Sequence, residues 1–197
     1  NYSLESLDFP SLTIDLVNQK NVLSKLSIDS SLRSLAICPG AEFGPAKKWP
    51  PDYYAEVARA YIERGWNILC LGSPNDQETG EKIESFHDLD KENNFYNLIG
   101  KTSLNDAIDI LDLCDRVVTN DSGLMHIAAA VGTPLVALYG PSSPAYTPPL
   151  TDNKKILRKM EGYEKKREGD LDRGYHQSLL AIKPTEVINA LEEIQKL

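Results

Sequence analysis

Five short apolar runs, separated by longer polar stretches, predict five buried β-strands. Each run is continuous rather than alternating, which is typical of parallel strands that are covered on both faces of a sheet. The predicted strands are Leu35–Cys38, Ile68–Leu71, Tyr96–Ile99, Arg116–Thr119 and Pro134–Leu138.

Helical patterns lie between and after these runs. After the first run, apolar residues recur at the i, i+3, i+4, i+7 spacing of a helix face and stop at Gly65. The last helix begins at Pro184, because proline is favoured in the first turn. The patterned stretches are Tyr54–Ile62, Asp76–Phe86, Leu104–Leu113, Asp121–Gly132 and Pro184–Ile194.

The alternation of strands and helices predicts an α/β fold with a parallel sheet and helices on both faces. In open sheets of this kind, ligands bind at the carboxyl ends of the strands. Functional residues are therefore expected in the loops that directly follow the strands.

The two ends of the chain depart from this alternation. Residues 1–33 have no clean hydrophobic period and are interpreted as a lead-in or inter-domain linker with a polar, partly helical patch, followed by one domain over residues 34–197. The chain begins with Asn1 rather than Met, so we expect further residues to precede it. Prolines between Pro141 and Pro149 predict a stiff loop, and the stretch Lys154–Arg167 is strongly basic.

Composition excludes several classes of function. The 197 residues include 21 Lys and Arg against 29 Asp and Glu, a formal net charge of −8. Such a chain lacks the excess of cations that neutralises nucleic-acid phosphates, so no nucleic-acid partner is expected. No run reaches the length of about 18 apolar residues that a membrane span needs. The cysteines lie in apolar runs without metal-ligand spacing, which predicts buried free thiols in a reducing compartment: Cys38, Cys70 and Cys114.

The segment Thr119–His126 ends a predicted strand and begins an alanine-rich helix. Asp121 is suited to cap this helix through its side-chain oxygen. Ser122 and Gly123 would then present backbone N–H groups at the positive end of the helix dipole, which binds phosphate well. An ordinary capped helix has the same pattern, so both interpretations stay open. His126, one turn further on, is a ligand or a core histidine.

The loop Cys38–Pro51 contains two glycines and the adjacent Lys47 and Lys48. At the carboxyl edge of a sheet, such a loop can wrap a diphosphate, and either lysine can supply the opposing charge. Its spacing matches neither a Walker loop nor a dinucleotide-binding glycine motif. The alternative is a proline-rich connector with solvated lysines.

Two further strand-to-helix loops carry polar side chains. Asp76 follows the second strand, where nucleotide-binding sheets commonly have a carboxylate that binds the ribose hydroxyls. Glu78 is the second candidate for this role. Helix capping by Asn75 or Asp76 is the alternative. After the third strand, Ser103 and Asp106 have the spacing of a capping box. Four such loops at one edge together indicate a nucleotide site, and no hydrolase triad, metal triad or isolated carboxylate pair competes with it.

Longer motifs carry a family resemblance. Cys38–Pro51 (CPGAEFGPAKKWPP) and Thr119–Ala130 (TNDSGLMHIAAA) resemble glycosyltransferase family 9, the heptosyltransferases, and so do LYGPSSP at residues 138–144, TPPL at 147–150 and GYHQSL at 174–179. The resemblance covers Ser34 to the end of the chain. It implies the carboxyl-terminal, donor-binding, Rossmann-like half of a GT-B glycosyltransferase. The amino-terminal acceptor half, with the catalytic base, is then expected outside this chain.

The resemblance also implies roles for particular residues. Lys47 would contact the donor phosphates, Asp76 the ribose, and the backbone at Thr102 the adenine. The diphosphate and the departing sugar would be held by Asp121, Ser122, Gly123, Leu124 and His126. No catalytic residue and no metal site are expected in this chain.

The implied reaction is inverting, metal-independent transfer of L-glycero-D-manno-heptose from ADP-heptose to the first heptose of the lipopolysaccharide inner core. It would take place in the cytoplasm, at the face of the bacterial inner membrane. The basic stretch Lys154–Arg167 is either a contact for phosphate or Kdo carboxylates of that acceptor or a solvated loop. Two other functions remain as alternatives, a UDP-sugar 2-epimerase-like GT-B enzyme and a non-catalytic nucleotide-binding module.

Overall fold

The computed structural model describes residues 8–42, 44–165, 168–169 and 174–194, which form a parallel sheet of six strands. The strands are β1 (Ser34–Cys38), β2 (Asn67–Cys70), β3 (Phe95–Asn97), β4 (Arg116–Asn120), β5 (Leu135–Tyr139) and β6 (Lys154–Arg158). Their order across the sheet is β3-β2-β1-β4-β5-β6, which is the order of a doubly wound Rossmann sheet. The predicted α/β class with a Rossmann-like parallel sheet is confirmed.

Helices cover both faces of this sheet. Within the described residues they are α1 (Leu16–Lys25), α2 (Pro51–Ile62), α3 (Gln77–Ser85), α4 (Leu104–Leu113), α5 (Gly123–Ala130), α6 (Gln177–Leu180) and α7 (Pro184–Glu193). Short 3₁₀ helices over Pro45–Lys47 and Pro74–Asp76 lie in the loops after β1 and β2.

The core consists of two apolar layers, one on each side of the sheet. Successive side chains of a strand point to opposite faces. Leu35 and Ile37 of β1 therefore pack in the layer that contains buried residues of α2 and α7. Ala36 and Cys38 pack in the layer that contains buried residues of α4 and α5. The predicted burial of the three free cysteines is confirmed.

Helix α1 lies inside the stretch that was interpreted as a lead-in, and it packs against α4. The side-chain amide of Gln19 donates to the backbone carbonyl of Asp109 at 3.0 Å, and the amide of Asn18 donates to the Asp109 carboxylate at 2.7 Å. These contacts attach residues 16–25 to the body of the domain. The domain boundary at residues 33 and 34 stays a prediction.

The basic stretch Lys154–Arg167 begins as strand β6, so its interpretation as a solvated loop is wrong over its first five residues. β6 is a half-buried edge strand paired with β5. Lys155 contacts Glu193, and Lys159 pairs with Glu186 at 2.6 Å. Cations on an edge strand hinder pairing with other chains, which accounts for part of the positive charge. Lys166 and Arg167 lie outside the described residues.

Because the strands are parallel, the loops that follow β1, β2, β3 and β4 open on one edge of the sheet. This edge is where the sequence predicts the functional residues. Within the described ranges, no helix has the length and apolar character needed to cross a membrane.

Candidate functional site

A cavity of about 690 Å³ opens at the carboxyl ends of the strands. Its lining comes from the four loops that follow β1 to β4 and from the first turns of α4 and α5. Volumes of roughly 300–1,000 Å³ are typical of small-molecule sites. Five of the predicted site residues line the cavity: Asp76, Thr102, Ser122, Gly123 and Leu124. The placement agrees with the predicted edge, while their contacts with a ligand stay predictions.

Lys47 and Asp121 are bonded to each other beside the cavity. The Lys47 ammonium donates to Oδ2 of Asp121 at 2.6 Å, and the Thr147 hydroxyl donates to Oδ1 at 3.2 Å. Asp121 is buried. The chain neighbours Lys48 and Ser122 line the cavity, whereas Lys47 and Asp121 are not among its lining residues.

The prediction that Asp121 caps α5 is wrong. The N-cap residue is Ser122, and no side-chain hydrogen bond caps the helix there. The Asp121 carboxylate is engaged by Lys47 and Thr147 instead. The first N–H groups of a helix have no partner within the helix. Gly123 begins α5 at the cavity and is exposed, so its backbone is accessible to an anion there.

Asp76 forms a second ion pair, with Lys48. The Lys48 ammonium donates to Oδ1 of Asp76 at 2.9 Å. Oδ2 accepts from the backbone N–H of Ser73 at 3.2 Å and from its hydroxyl at 2.8 Å. Asp76 is the N-cap residue of α3, but its side chain makes no cap bond there, so the predicted side-chain capping of this helix by Asp76 is wrong. The carboxylate instead completes a capping box with Ser73 in the 3₁₀ turn Pro74–Asp76, and it lines the cavity. Sequence reasoning did not identify Lys48 as its partner.

Asn120, at the end of β4, joins the two loops that carry the lysines and Asp121, and sequence reasoning missed it. Its Oδ1 accepts from the backbone N–H of Trp49 at 3.2 Å and from the Tyr54 hydroxyl at 3.1 Å. Its side-chain N–H donates to the carbonyl of Pro39 at 2.7 Å. Asn120 is fully buried. The only signal in the sequence was its place directly before Asp121.

Tyr139 supports the Asp121 side of the site from β5. Its hydroxyl donates to the backbone carbonyl of Thr147, whose side chain bonds Asp121. Burial raises the pKa of the Tyr139 phenol well above its ordinary value, and the nearby Asp121 carboxylate raises it further. The phenol therefore stays protonated and keeps its donor role throughout the neutral range.

The remaining predicted residues have different outcomes. His126 is exposed and does not line the cavity, so the interpretation as a core histidine is wrong and its role as a ligand stays a prediction. The capping box of α4 is confirmed, because the Ser103 hydroxyl accepts from the Asp106 N–H at 3.1 Å and Asp106 accepts from the Ser103 N–H at 2.9 Å. This box fixes the turn that carries Thr102 into the cavity.

The chemistry of the cavity suits a neutral or anionic polar ligand with an apolar part. Two ammonium groups and a helix N-terminus lie at or beside it, and its wall also includes the apolar side chains of Leu104, Ala107 and Ile127. In the part of the chain that the structure describes, no cluster of three His, Cys, Asp or Glu side chains could hold a metal ion.

Comparison with known proteins gives consistent matches. The profile of Glycosyltransferase family 9 (heptosyltransferase) matches residues 5–176. The chain is 46% identical to lipooligosaccharide heptosyltransferase 2 of Haemophilus influenzae and 42% identical to lipopolysaccharide heptosyltransferase 2 of Escherichia coli, each over 190 residues. These alignments cover 94% and 96% of this chain and 55% of each relative.

A solved structure agrees with the sequence matches. The fold superposes on Escherichia coli ADP-heptose lipopolysaccharide heptosyltransferase II with a TM-score of 0.86 at 40% identity, covering 95% of this chain and 54% of that one. The chain thus spans about half the length of the curated relatives it matches. With a family profile that matches most of the chain and a Rossmann-like sheet that superposes on a family structure, the chain belongs to glycosyltransferase family 9, the heptosyltransferases.

Proposed function

We propose that this chain binds the nucleotide-sugar donor ADP-heptose and serves in heptosyl transfer to the lipopolysaccharide inner core. The observation that carries the proposal is the cavity at the carboxyl edge of the sheet, flanked by the Lys47–Asp121 pair and the start of α5. The names of the relatives support the same donor and acceptor.

The donor is proposed to lie along the cavity in an extended arrangement. Its diphosphate takes the end formed by Lys47 and by the backbone of Ser122 and Gly123. Its ribose takes the wall at Asp76, and the adenine takes the backbone around Thr102. The heptose then points toward Asp121 and His126. Asp121 acts there by holding Lys47, to which it is bonded at 2.6 Å.

In the proposed reaction, a hydroxyl oxygen of the acceptor heptose forms a bond to the anomeric carbon of the donor. The bond between that carbon and the phosphate oxygen breaks, and its electron pair remains on the departing ADP. Lys47 and the positive end of α5 stabilise the growing charge, so no metal is required in this proposal. The hydroxyl proton passes to a carboxylate base that we place outside this chain, in the remaining half of the enzyme.

Acceptor contacts and cellular location follow from the same proposal. The inner-core acceptor carries phosphate and carboxylate groups, to which exposed cations of the stretch Lys154–Lys165 are complementary. We place the reaction at the cytoplasmic face of the inner membrane. Replacement of Lys165 in the whole enzyme is expected to raise the KM for the acceptor while that for ADP-heptose stays constant. An unchanged acceptor KM would remove this role.

Thermal unfolding with nucleotides tests donor binding. At about 100 times the Kd, ADP is expected to stabilise the chain by about 2.7 kcal/mol, which is a rise of about 5–10 °C in Tm for this size. The rise should occur without Mg²⁺ and should be smaller in Lys47→Met and restored in Lys47→Arg. Lys91→Met is the matched control, because it breaks the exposed Lys91–Asp88 pair away from the cavity.

The outcomes separate the candidate functions. A larger shift with UDP than with ADP would favour the epimerase-like alternative. An ADP shift with no heptosyl transfer by the whole enzyme would favour a non-catalytic nucleotide-binding module. No shift with either nucleotide would refute donor binding by this chain.

A further inference from the structure

Three groups hold the Asp76 carboxylate in one orientation at the cavity wall. Its Oδ2 accepts two hydrogen bonds from Ser73, one from the backbone N–H and one from the hydroxyl. Its Oδ1 accepts from the Lys48 ammonium at 2.9 Å. The side chains of Asp76 and Lys48 are only 10% and 21% exposed. Rotation of this carboxylate would break its hydrogen bonds with Ser73 and its ion pair with Lys48.

Gly40 packs against the Oδ2 side of the same carboxylate. A Cβ added at Gly40 would lie 2.5 Å from Oδ2 and 2.8 Å from Cγ of Asp76. The backbone of the loop after β1 therefore packs directly against the carboxylate, at a distance that only glycine permits. Gly40 and Asp76 both line the cavity, so the carboxylate is fixed at a position that a ligand in the cavity can reach.

The two adjacent lysines have different partners, which separates their roles. Lys47 ends a 3₁₀ helix and bonds Asp121, whereas Lys48 has an extended backbone (φ −94°, ψ 125°) and bonds Asp76. Because the backbone conformation changes between them, the side chains reach opposite loops. Lys47 is thus placed toward the helix α5 side, and Lys48 toward the loop after β2.

On the basis of the proposed function, we infer that Lys48 and Ser73 are positioning residues that aim Asp76 at a ribose hydroxyl and make the site selective for nucleotides with free ribose hydroxyls. A carboxylate offers about four acceptor positions, and protein donors fill three of them here. Oδ1 keeps a lone pair for a hydroxyl donor from the ligand. Neither Lys48 nor Ser73 needs to touch the ligand for this effect.

The test compares ADP with 2′-deoxy-ADP and 3′-deoxy-ADP by isothermal titration calorimetry. The unaltered protein should bind ADP roughly 10- to 100-fold more tightly than the deoxy nucleotide that lacks the bonded hydroxyl, the range expected for a hydrogen bond to a charged group. Lys48→Met and Ser73→Ala should reduce this preference by several fold. In both variants the affinity for ADP should fall, while the affinity for the deoxy nucleotide stays constant. Lys48→Arg should retain most of the preference.

Gly40→Ala perturbs the carboxylate from the opposite side without removing a charge or a hydroxyl. It should also reduce the preference for ADP over the deoxy nucleotide. Lys91→Met, which breaks an exposed lysine–aspartate pair elsewhere, should leave the preference unchanged. Circular dichroism and Tm values establish that each variant is folded at the temperature of the titration.

The results distinguish this inference from the proposed function beneath it. If Lys48→Met lowers the affinities for ADP and for the deoxy nucleotide equally, Lys48 binds phosphate directly and the positioning role is wrong. If the unaltered protein binds all three nucleotides equally, the contact between Asp76 and ribose is wrong although nucleotide binding stands. If no nucleotide binds at all, the proposed function fails and this inference fails with it.

Discussion

Replacement of Asn120 by alanine tests whether this side chain holds the cavity loops together. The substitution removes the partner of three buried groups: the Trp49 N–H, the Tyr54 hydroxyl and the Pro39 carbonyl. A buried group left without a partner costs about 1–3 kcal/mol. Tyr54 keeps a second contact, with the Cys38 carbonyl at 3.4 Å, so its loss is partial. The expected loss in the free energy of unfolding is about 3–5 kcal/mol.

Urea and thermal unfolding measure this loss. At about 2–4 °C per kcal/mol for a chain of this size, Tm should fall by roughly 6–20 °C. Asn94→Ala is the matched control, because the Asn94 side chain donates one bond, to the Trp66 carbonyl at 2.7 Å, and is only half-buried. That variant should lose about 1 kcal/mol.

A double-mutant cycle separates the contribution of the Asn120–Tyr54 hydrogen bond from the other effects of removing the Asn120 side chain. Tyr54→Phe removes the hydroxyl that Asn120→Ala leaves unpaired, so the double variant should be more stable than the sum of the two single losses predicts, by about 1 kcal/mol. Equal losses in Asn120→Ala and Asn94→Ala, or strict additivity in the cycle, would refute the assignment of Asn120 as the link between the loops.

Three further predictions concern packing, pH and thiol chemistry. Gly140→Ala should lower the free energy of unfolding by about 1–3 kcal/mol in a urea titration, because its Cβ would lie 2.9 Å from a backbone oxygen. At Gly123 an added Cβ meets open space, so Gly123→Ala should keep its stability but bind ADP more weakly. A backbone N–H bond lowers the pKa of Asp106, so its ionised form stabilises the fold above the unfolded pKa, and this contribution is lost as pH falls through the folded pKa. The Tm deficit of Asp106→Asn should therefore shrink as pH falls below about 4; a constant deficit would contradict this. Burial raises the pKa of the Cys38 and Cys70 thiols, so a thiol reagent at pH 8 should react with them only after unfolding, and rapid reaction of the native protein would contradict their burial.

The fold was predictable where the apolar pattern is strong. Strands β1, β2 and β5 are fully buried, β4 is buried except at Arg116, and β3 is buried only at Phe95. Each predicted run overlaps the observed strand with ends that differ by two residues at most. Helix α4 has the predicted bounds, because an apolar face and the capping box at Ser103 fix its start together. Strand β6 was missed because its residues are all half-buried and three of the five are Lys or Arg. Helix α1 was only partly recognised, because its buried apolar surface is small, centred on Val22, and much of its attachment comes from hydrogen bonds to α4 across about 90 residues of chain.

The location of the site could be predicted from the sequence, but the hydrogen-bond and ion-pair partners of its residues could not. Parallel strands bring the loops after them to one edge, so the position of Asp76, Thr102 and Ser122 at a common cavity followed from topology. The partner of Asp121 did not follow, because a local capping bond and an ion pair with a lysine 74 residues away compete for the same carboxylate. Asp121 bonds the Lys47 ammonium rather than a helix N–H, since a hydrogen bond between two charged groups is the stronger of the two.

The two ion pairs have a consequence for how an anion can enter this cavity. Lys47 and Lys48 are each matched by a buried carboxylate, so the two pairs contribute little net charge, and Glu42 adds a negative charge to the cavity wall. The lysines therefore attract a diphosphate less strongly than two solvated cations would, in a chain whose net charge is already −8. In the donor complex that we propose, a diphosphate would gain most by sharing Lys47 with Asp121 while the start of α5 supplies further N–H donors. Asp76 and Lys48 can stay paired during this exchange, because a ribose hydroxyl is neutral and needs only an acceptor. Adjacent lysines with separate partners thus allow one to respond to the charge of the ligand and the other to hold a fixed acceptor.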